Sequence, residues 1–280
     1  MIRTTSALSA QGRNTFAVLV LTERGGQHAS FTDTGLEWLK NTGEKDGFHI
    51  TEIHDTEKIT AEYLTQFKVI IQLDYPPYRW TEEAEKAFID YIENGRGGWV
   101  GFHHAALLGE FDGYKMWNWF FSFMGGIRFQ NYIAKTASAT AYVEDRKHPV
   151  MKGVNPHFLI PNDEFYVFDK NPRPHVKVLA HVDEDSYQPV STIKMGDHPI
   201  IWSNPNVKAR NVYFLIAIAD PYLRLKILQR CSGMQFYGPE VNKEGQITTV
   251  SEMTRALHLP FVRMLFVPAS ELNNLVRNVD

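Results

Sequence analysis

The sequence has very little cysteine, and this scarcity excludes two kinds of site. The chain of 280 residues contains one cysteine, Cys231. A disulfide framework and a zinc site built on thiolates both need several cysteines, so neither is available to one copy of this chain. Histidine, aspartate and glutamate are therefore the side chains left to bind a metal ion.

The sequence also lacks an excess of positive charge and a long apolar segment. Its 29 basic and 32 acidic residues give a formal net charge of −3, which provides no basic surface for nucleic acid. No segment approaches the ~18 consecutive apolar residues of a membrane span. We therefore expect neither a nucleic-acid partner nor a membrane partner. The oligomeric state stays open, a homo-oligomer included.

Residues 1–15 form an N-terminal tail without the apolar centre of a secretory signal, so the protein as written is expected to be cytoplasmic. Residues 6–12, Ser-Ala-Leu-Ser-Ala-Gln-Gly, nevertheless resemble the small-residue end of such a signal. A start codon assigned too late would explain this segment, and the protein would then be periplasmic or secreted. Sequencing the native N-terminus tests this hypothesis, because a mature protein that keeps Met1 contradicts it.

The first hundred residues alternate between buried apolar strands and helices. Such alternation predicts an α/β fold with a doubly wound, mostly parallel sheet. Further strands follow, and we find no internal repeat or linker, so one domain over residues 16–216 is expected. The predicted strands cover residues 16–22, 49–54, 69–73, 98–102, 137–143, 176–181, 200–202 and 212–218, and the main predicted helices cover residues 32–42, 82–94 and 116–123.

Two adjacent histidines stand at a predicted strand end. Residues 97–106 are Gly-Gly-Trp-Val-Gly-Phe-His-His-Ala-Ala, which predicts a strand, a tight turn and a helix. Gly101 and Ala105 flank His103 in the manner of a nucleophile elbow, a sharp turn that exposes one side chain. Imidazoles at the carboxyl end of a strand suggest acid/base or metal chemistry involving His103 and His104. The alternative is that one ring caps the helix and the other packs in the core.

A second candidate group follows the first strand. Glu23, Arg24 and His28 surround the turn at Gly25 and Gly26. We predict Glu23 as a catalytic residue, His28 as a substrate or metal ligand beside His103, and Arg24 as a ligand for a substrate oxyanion. Each has a structural alternative, since Glu23 and His28 could serve only the turn and Arg24 could be an exposed turn residue.

A third candidate group is acidic and aromatic. Asp163 and Glu164 precede Tyr166, and we predict this group to bind the substrate. A position on the loop surface is the alternative for the two carboxylates. Adjacent side chains on an extended segment point to opposite faces, so we expect one carboxylate to reach the site. Trp117 could bind a sugar ring, although core packing is the alternative for a tryptophan on an aromatic helix. His198 and His148 each precede a proline and are expected in turns. His198 also precedes a strand and could reach inward to the site, whereas His148 is the poorer candidate ligand.

The ordered set of motifs resembles the ThuA-like (trehalose-utilisation) family over roughly residues 16–216. The resemblance implies a flavodoxin-related, class I glutamine-amidotransferase-like fold. It also implies that His103 stands where amidotransferases of that fold have their nucleophilic cysteine, so the amidotransferase reaction is excluded for want of a thiol. The motifs are Val18-Leu19-Val20, Gly26-Gln27-His28, Gly101 to Ala105, Met124-Gly125-Gly126, Asp145 with His148-Pro149, Asp163 to Tyr166, His198 to Trp202, and Asn211 to Phe214.

The family association is with sugar catabolism, often alongside dehydrogenases that make 3-keto sugars. The first hypothesis is therefore an isomerase, lyase or hydrolase acting on a sugar or 3-keto glycoside, with His103 and His104 moving a proton. A divalent metal such as zinc, held by His28 and His103, could polarise the carbonyl. The alternatives are a non-catalytic carbohydrate-binding or regulatory module and a purely structural metal site. Convergence of Glu23, His28 and His103 would favour catalysis.

The resemblance ends at Ala217. The family pattern continues with Gly-His-Ser and a closing helix that ends in Asn-Ala-Ile-Leu-Trp-Ala, whereas this chain continues with Ala-Ile-Ala. Loss of one G from ATT GGC CAT AGC yields Ile-Ala-Ile, and residues 227–238 can be encoded so that a shifted frame reads Pro-Ser-Lys-Met-Phe-Arg-Asn-Ala-Ile-Leu-Trp. We hypothesise that residues 217–280 are frameshifted and that this form, missing a site histidine, is poorly active. Resequencing the gene tests this, since an intact frame contradicts it.

Overall fold

A computed structural model of the chain describes residues 16–24 and 29–216. His28 and the segment 217–280 therefore lie outside the described residues, and the predictions made for them stay predictions. Within the described part, no helix is both long enough and apolar enough to cross a membrane.

A nine-stranded sheet forms the centre of the described structure. Five strands follow the order β2-β1-β3-β4-β11 and are all parallel, and β10, β9, β6 and β7 continue the sheet with antiparallel pairs. A separate ribbon pairs β5 with β8. The strands are β1 (Phe16–Thr22), β2 (Phe48–Ile53), β3 (Phe67–Leu73), β4 (Gly98–Phe102), β5 (Phe129–Tyr132), β6 (Ala137–Val143), β7 (His157–Asp163), β8 (Tyr166–Phe168), β9 (Lys177–Gln188), β10 (His198–Ser203) and β11 (Asn211–Phe214).

The predicted α/β fold with its parallel, flavodoxin-like core is confirmed. Val18 to Leu21 of β1 are each 0% exposed, as expected of a strand covered on both faces. The helices are α1 (Ala29–Asp46), α2 (Ala61–Leu64), α3 (Glu82–Glu93) and α4 (Asn118–Phe123). Thr81 caps α3, because its hydroxyl accepts a hydrogen bond from the Ala84 amide at 3.2 Å.

The structure differs from the sequence predictions at two places near the sheet's centre. The His pair is followed by a single 3₁₀ turn, His103–Ala106, and not by an α-helix. The turn stops because Leu107 has ψ of 70°, outside the helical region. His198 was expected in a turn, but it begins β10 and is 0% exposed.

Aromatic side chains form much of the packing around α4. The rings of Trp80, Phe88, Trp117 and Phe120 lie with centroids 5.0 to 6.0 Å apart. Trp117 is only 6% exposed. The geometry therefore favours the core alternative for Trp117, since its ring offers no open face to a sugar.

Candidate functional site

The turn after β4 holds His103 in a conformation that few side chains adopt. His103 has a φ of +41°, a left-handed value characteristic of a nucleophile elbow. A Cβ at Gly101 would lie 2.3 Å from the Trp99 ring, so only glycine fits there. The Tyr213 hydroxyl donates a hydrogen bond of 3.0 Å to the His103 carbonyl oxygen and fixes the turn.

Both nitrogens of His103 have an oxygen neighbour. Nδ1 lies 2.9 Å from the Leu215 carbonyl oxygen, and Nε2 lies 3.2 Å from Oε2 of Glu164. A carbonyl oxygen only accepts, so Nδ1 must carry a hydrogen. Nε2 then faces the Glu164 carboxylate, which, when ionised, also only accepts hydrogen bonds. A proton held between Nε2 and this carboxylate supplies the donor that the contact needs. His103 and Glu164 therefore form a proton-holding pair.

The electrostatic surroundings support this assignment. Burial of the ring lowers the pKa of His103, but the hydrogen bond with Glu164 and the charges of Asp74 and Asp163 outweigh burial and raise the pKa above its usual value of 6.5. His103 is 0% exposed, which corrects the expectation that the elbow displays this ring to solvent. The Tyr166 ring covers it, with centroids 4.2 Å apart.

His104 is oriented by a different pair of carboxylates. Its Nδ1 lies 2.9 Å from Oε2 of Glu23 and 3.3 Å from Oδ1 of Asp74. Since both neighbours are carboxylate oxygens, Nδ1 donates and Nε2 is the nitrogen that can take a proton. The rings of His103 and His104 are stacked, with centroids 5.2 Å apart. Two imidazoles with separate carboxylate partners thus lie side by side.

Asp74 is the residue that the sequence analysis missed. It follows β3 directly with a φ of +58°, and its side chain is 3% exposed. The position of Asp74 in the sequence could have identified it. The carboxyl ends of β1, β3 and β4 meet at one edge of the sheet, where the strand order reverses. A polar residue just after β3 belongs to the same group as Glu23 and His103.

Asp74, His103 and His104 also offer a metal-binding set. Each has one ligand atom, and these atoms lie within 4.8 Å of one another. Two imidazoles and one carboxylate form a donor set that zinc uses in catalytic sites. The predicted metal ligand His28 lies outside the described residues, so of the predicted pair only His103 can be placed in this set.

The structure brings together most of the predicted site residues. Glu23, His103, His104, Glu164 and Tyr166 are linked by the contacts above. Asp163 is 0% exposed and close enough for its charge to raise the pKa of His103. The single carboxylate expected to reach the site is therefore Glu164 by direct contact, with Asp163 acting through its charge.

Arg24 has other partners. Its guanidinium binds Glu52 at 2.8 Å and Asp33 at 2.6 Å, and the side chain is 42% exposed. This arrangement favours the alternative of an exposed turn arginine over a role in binding a substrate oxyanion. A second arginine, Arg79, lies beside the site, since its Nη1 is 3.1 Å from Oε1 of Glu23.

A test of the proton-holding pair is to replace Glu164 by glutamine. We expect the pKa of His103 to fall, because the hydrogen bond to Glu164 is the largest of the contributions that raise it. The measurement is an NMR titration of the histidine ring signals. Glu52→Gln is a matched control, since Glu52 binds Arg24 and should leave the His103 titration unchanged. An unchanged midpoint in Glu164→Gln would contradict the pairing.

The glutaminase domain of Trypanosoma brucei CTPS with bound acivicin is similar in structure, with a TM-score of 0.50, 9% identity, and coverage of 80% of this chain and 96% of that chain. This likeness concerns the fold alone. The fold is thus similar to that of glutamine amidotransferases, with a histidine at the elbow in this chain.

The family model for ThuA, described as trehalose utilisation, matches residues 17–216, and the chain belongs to this family. A ThuA-like protein from Bacteroides uniformis has a TM-score of 0.67, 29% identity, and coverage of 81% of this chain and 94% of that chain. One from Parabacteroides merdae has a TM-score of 0.59, 16% identity and the same coverages, 81% and 94%. No curated protein matches. Family membership indicates a function related to carbohydrates.

Proposed function

We propose that this protein is an enzyme that acts on a sugar or a 3-keto glycoside by histidine acid/base chemistry. The observation that carries the proposal is the pair of stacked imidazoles with separate carboxylate partners, Glu164 for His103 and Glu23 with Asp74 for His104. Neighbouring titratable groups with different partners can divide acid and base roles between them. The scaffold is that of a carbohydrate-related family, which supplies the substrate class.

The chemistry follows from the carbonyl group. A carbonyl at C3 makes the hydrogen on C2 acidic, and Nε2 of His104 is the proposed base that removes it. The electrons of that C–H bond form an enolate. In a lyase reaction they then form the C1–C2 double bond while the C1–O bond breaks. The leaving oxygen takes the proton that His103 and Glu164 hold, through Glu164, whose side chain is 18% exposed whereas that of His103 is buried. In an isomerisation the proton returns to a different atom of the enolate.

The donor set Asp74, His103 and His104 also fits a divalent cation such as zinc. When bound, such an ion would polarise a substrate carbonyl or lower the pKa of a bound water. The residues of this chain would in that case hold the ion and orient the substrate. Adding zinc or a chelator to the assay decides whether the acid/base chemistry needs a metal.

The test of the proposal is incubation with a 3-keto glycoside in deuterium oxide. We expect deuterium to appear at C2, followed by release of the glycosidic substituent or by an isomer, all visible by NMR. The parent glycoside without the ketone is the control, because its C2 hydrogen is not acidic and should not exchange. Binding without exchange would favour the non-catalytic carbohydrate-binding alternative. The assay should include a gene with the reading frame restored at codon 217 if resequencing finds a missing base.

A further inference from the structure

A cavity of about 460 Å³ lies among the described residues, separate from the histidine pair. Its volume falls within the roughly 300–1,000 Å³ of small-molecule sites. The segment that contains α4 forms one wall, the loop between β8 and β9 a second, and the turn between β10 and β11 a third. We call this space the α4 cavity. None of the described residues that line it belongs to the candidate functional site.

The α4 cavity lies at the opposite edge of the sheet from His103 and His104. Asn204, which lines the cavity, binds Asn211 at the start of β11. Asn211 is paired with Trp99 near the start of β4, and these two strands are parallel. The histidines follow the other end of β4. A ligand in the α4 cavity would therefore not contact the histidine pair.

Hydrogen bonds fix the buried polar part of the cavity lining. Asn204 is 8% exposed, and its Nδ2 donates to the Phe123 carbonyl oxygen at 2.8 Å. Its backbone N–H donates to Oδ1 of Asn211 at 2.7 Å, and Nδ2 of Asn211 donates to the Asn204 carbonyl oxygen at 2.9 Å. Oδ1 of Asn204 accepts from the Asn206 amide at 2.8 Å. This part of the lining is therefore ordered without a ligand, which lowers the entropic cost of binding one.

Aromatic rings form the apolar wall of the cavity. The rings of Trp119 and Phe123 are stacked, with centroids 5.2 Å apart and an interplanar angle of 12°. Trp119 is held in this orientation by a 2.7 Å hydrogen bond from its Nε1 to Oε1 of Glu93. Gly126 leaves space beside a third ring, since a Cβ there would lie 3.8 Å from Cζ of Phe121. Planar aromatic ligands pack favourably on such rings.

The charged group at the cavity is a cation. Lys170 is one of the lining residues, and none of the described lining residues is an aspartate or a glutamate. Nζ of Lys170 lies 5.5 Å from the centre of the Phe121 ring, and the Arg128 guanidinium lies 5.9 Å from the same centre. The neighbouring carboxylate of Asp169 accepts a 2.7 Å hydrogen bond from the Arg128 amide. The cavity therefore favours a ligand with a negative charge beside an aromatic group.

We propose that the α4 cavity is a second binding site, for a small molecule with a planar aromatic ring and a carboxylate. The ring packs on Trp119, and the carboxylate binds Nζ of Lys170 in a charge-assisted hydrogen bond. The Asn206 side-chain amide offers a further donor, because it has a second N–H besides the one directed at the His175 carbonyl oxygen. This site is independent of the proposed function, since it shares no residue with the histidine pair.

The test is a calorimetric titration of the full-length protein with 2-naphthoate. Two matched probes are 2-naphthamide, which keeps the rings without the charge, and acetate, which keeps the charge without the rings. We expect 2-naphthamide to bind about tenfold more weakly than 2-naphthoate, a ratio that corresponds to about 1.4 kcal/mol, and acetate to give no measurable heat. No binding of 2-naphthoate would overturn the proposal, as would equally tight binding of either matched probe.

Two variants test the position of the bound probe. Lys170→Met removes a charge from an exposed side chain and should weaken 2-naphthoate binding about tenfold while leaving 2-naphthamide binding unchanged. Ser122→Trp places a large side chain in the cavity from an exposed position on α4 and should weaken binding of both naphthyl probes by about tenfold or more. Circular dichroism shows whether each variant is folded. Unchanged 2-naphthoate binding in either folded variant would overturn the proposal.

Lys208→Met is the matched control for the loss of charge. Lys208 is exposed and lies in the turn between β10 and β11, but it is not one of the lining residues. The Lys208→Met variant should therefore bind 2-naphthoate as the wild type does. His104→Gln should also leave this binding unchanged, because His104 lies at the opposite edge of the sheet. Loss of binding in His104→Gln would place the probe at the histidine pair and overturn the proposal for the α4 cavity.

Discussion

Replacement of His103 by glutamine is expected to lower turnover of a 3-keto glycoside by about 10²- to 10⁴-fold, the usual contribution of a positioned acid or base. Glutamine can keep a polar contact with Glu164 or with the Leu215 carbonyl oxygen, but it cannot transfer a proton at neutral pH. The measurement is kcat/KM by NMR product analysis, with far-UV circular dichroism to show that the variant is folded.

Glutamine is preferable to alanine for a structural reason. His103 is completely buried, so alanine would leave a cavity and would deprive two oxygens of their neighbouring ring nitrogen. A loss of activity in His103→Ala would then mix misfolding with lost chemistry. Tyr142→Ala, on the antiparallel part of the sheet, is the activity control. Turnover of His103→Gln indistinguishable from wild type would rule out the role proposed for His103.

The pH dependence of the reaction reports which role His103 has. Its pKa is raised above 6.5, so its proton is held to a higher pH than usual. If His103 is the acid, kcat/KM should fall as the pH rises through that raised pKa. The same proton contributes to folding stability. A group whose pKa is raised in the folded state stabilises the fold fully at pH values below 6.5, and this contribution is lost as the pH rises through the raised pKa.

The sequence predicts the parallel core of the fold well, because buried strands leave a clear local signal. Phe16–Thr22 is almost continuously apolar, and Val69, Ile70 and Ile71 form the apolar centre of β3. Thr81 with its acidic neighbours marks the start of α3. The elbow at His103 was also visible, because Gly101 and Ala105 flank the histidine in the sequence. These features depend on neighbours close in sequence.

What the sequence did not predict depends on contacts distant in sequence. His103 contacts Glu164 and Leu215, which follow it by 61 and 112 residues, and no local pattern shows that they bury its ring. Asp74 offered only its position after a strand. Trp117 and Tyr114 belong to the same aromatic stretch, and only the packing shows that one is in the core and the other is exposed. His198 was assigned to a turn because its sequence neighbours do not show that packing buries it.

His198 belongs to a buried network that supports the site from the antiparallel side. Its Nε2 donates to the Tyr166 carbonyl oxygen at 2.9 Å, and its Nδ1 lies 2.9 Å from Oε1 of Glu184. The Tyr187 hydroxyl lies 3.1 Å from the same Nδ1. Tyr166 is the residue whose ring covers His103. The network therefore fixes the backbone that carries one wall of the candidate site.

His198→Ala is expected to lower the free energy of unfolding by about 2–4 kcal/mol, because it removes a hydrogen bond to a carboxylate and leaves the buried Tyr166 carbonyl oxygen without its donor. Glu184, with a side chain 5% exposed, would stay buried without its partner, and the Tyr166 carbonyl oxygen would lose its donor. The measurement is urea unfolding followed by fluorescence, which gives the free energy from the midpoint and slope.

A second histidine–glutamate pair, more exposed than His198 and Glu184, serves as a control for the effect of burial. His181 and Glu144 also form a histidine–glutamate pair, with a distance of 2.8 Å, but their side chains are 35% and 28% exposed. Solvent screens such a pair, so His181→Ala should cost at most about 1 kcal/mol. The comparison isolates burial as the cause of the difference. A cost for His198→Ala no larger than that for His181→Ala would show that the buried network contributes no special stability.

The acid side of the stability curve provides a second check on the same network. Burial raises the pKa of Glu184, but the hydrogen bonds from His198 and from the Met195 and Gly196 amides outweigh it and lower the pKa below 4.5. A carboxyl with a lowered pKa stabilises the fold above 4.5, and this contribution is lost as the pH falls through the lowered value. His198→Ala removes the largest of those hydrogen bonds. The free energy of unfolding should therefore fall less towards acid pH in the variant than in the wild type, by on the order of 1 kcal/mol, which is the free energy of a tenfold change in a protonation constant. Parallel stability curves for wild type and variant through this acid range would contradict the pairing of His198 with an ionised Glu184.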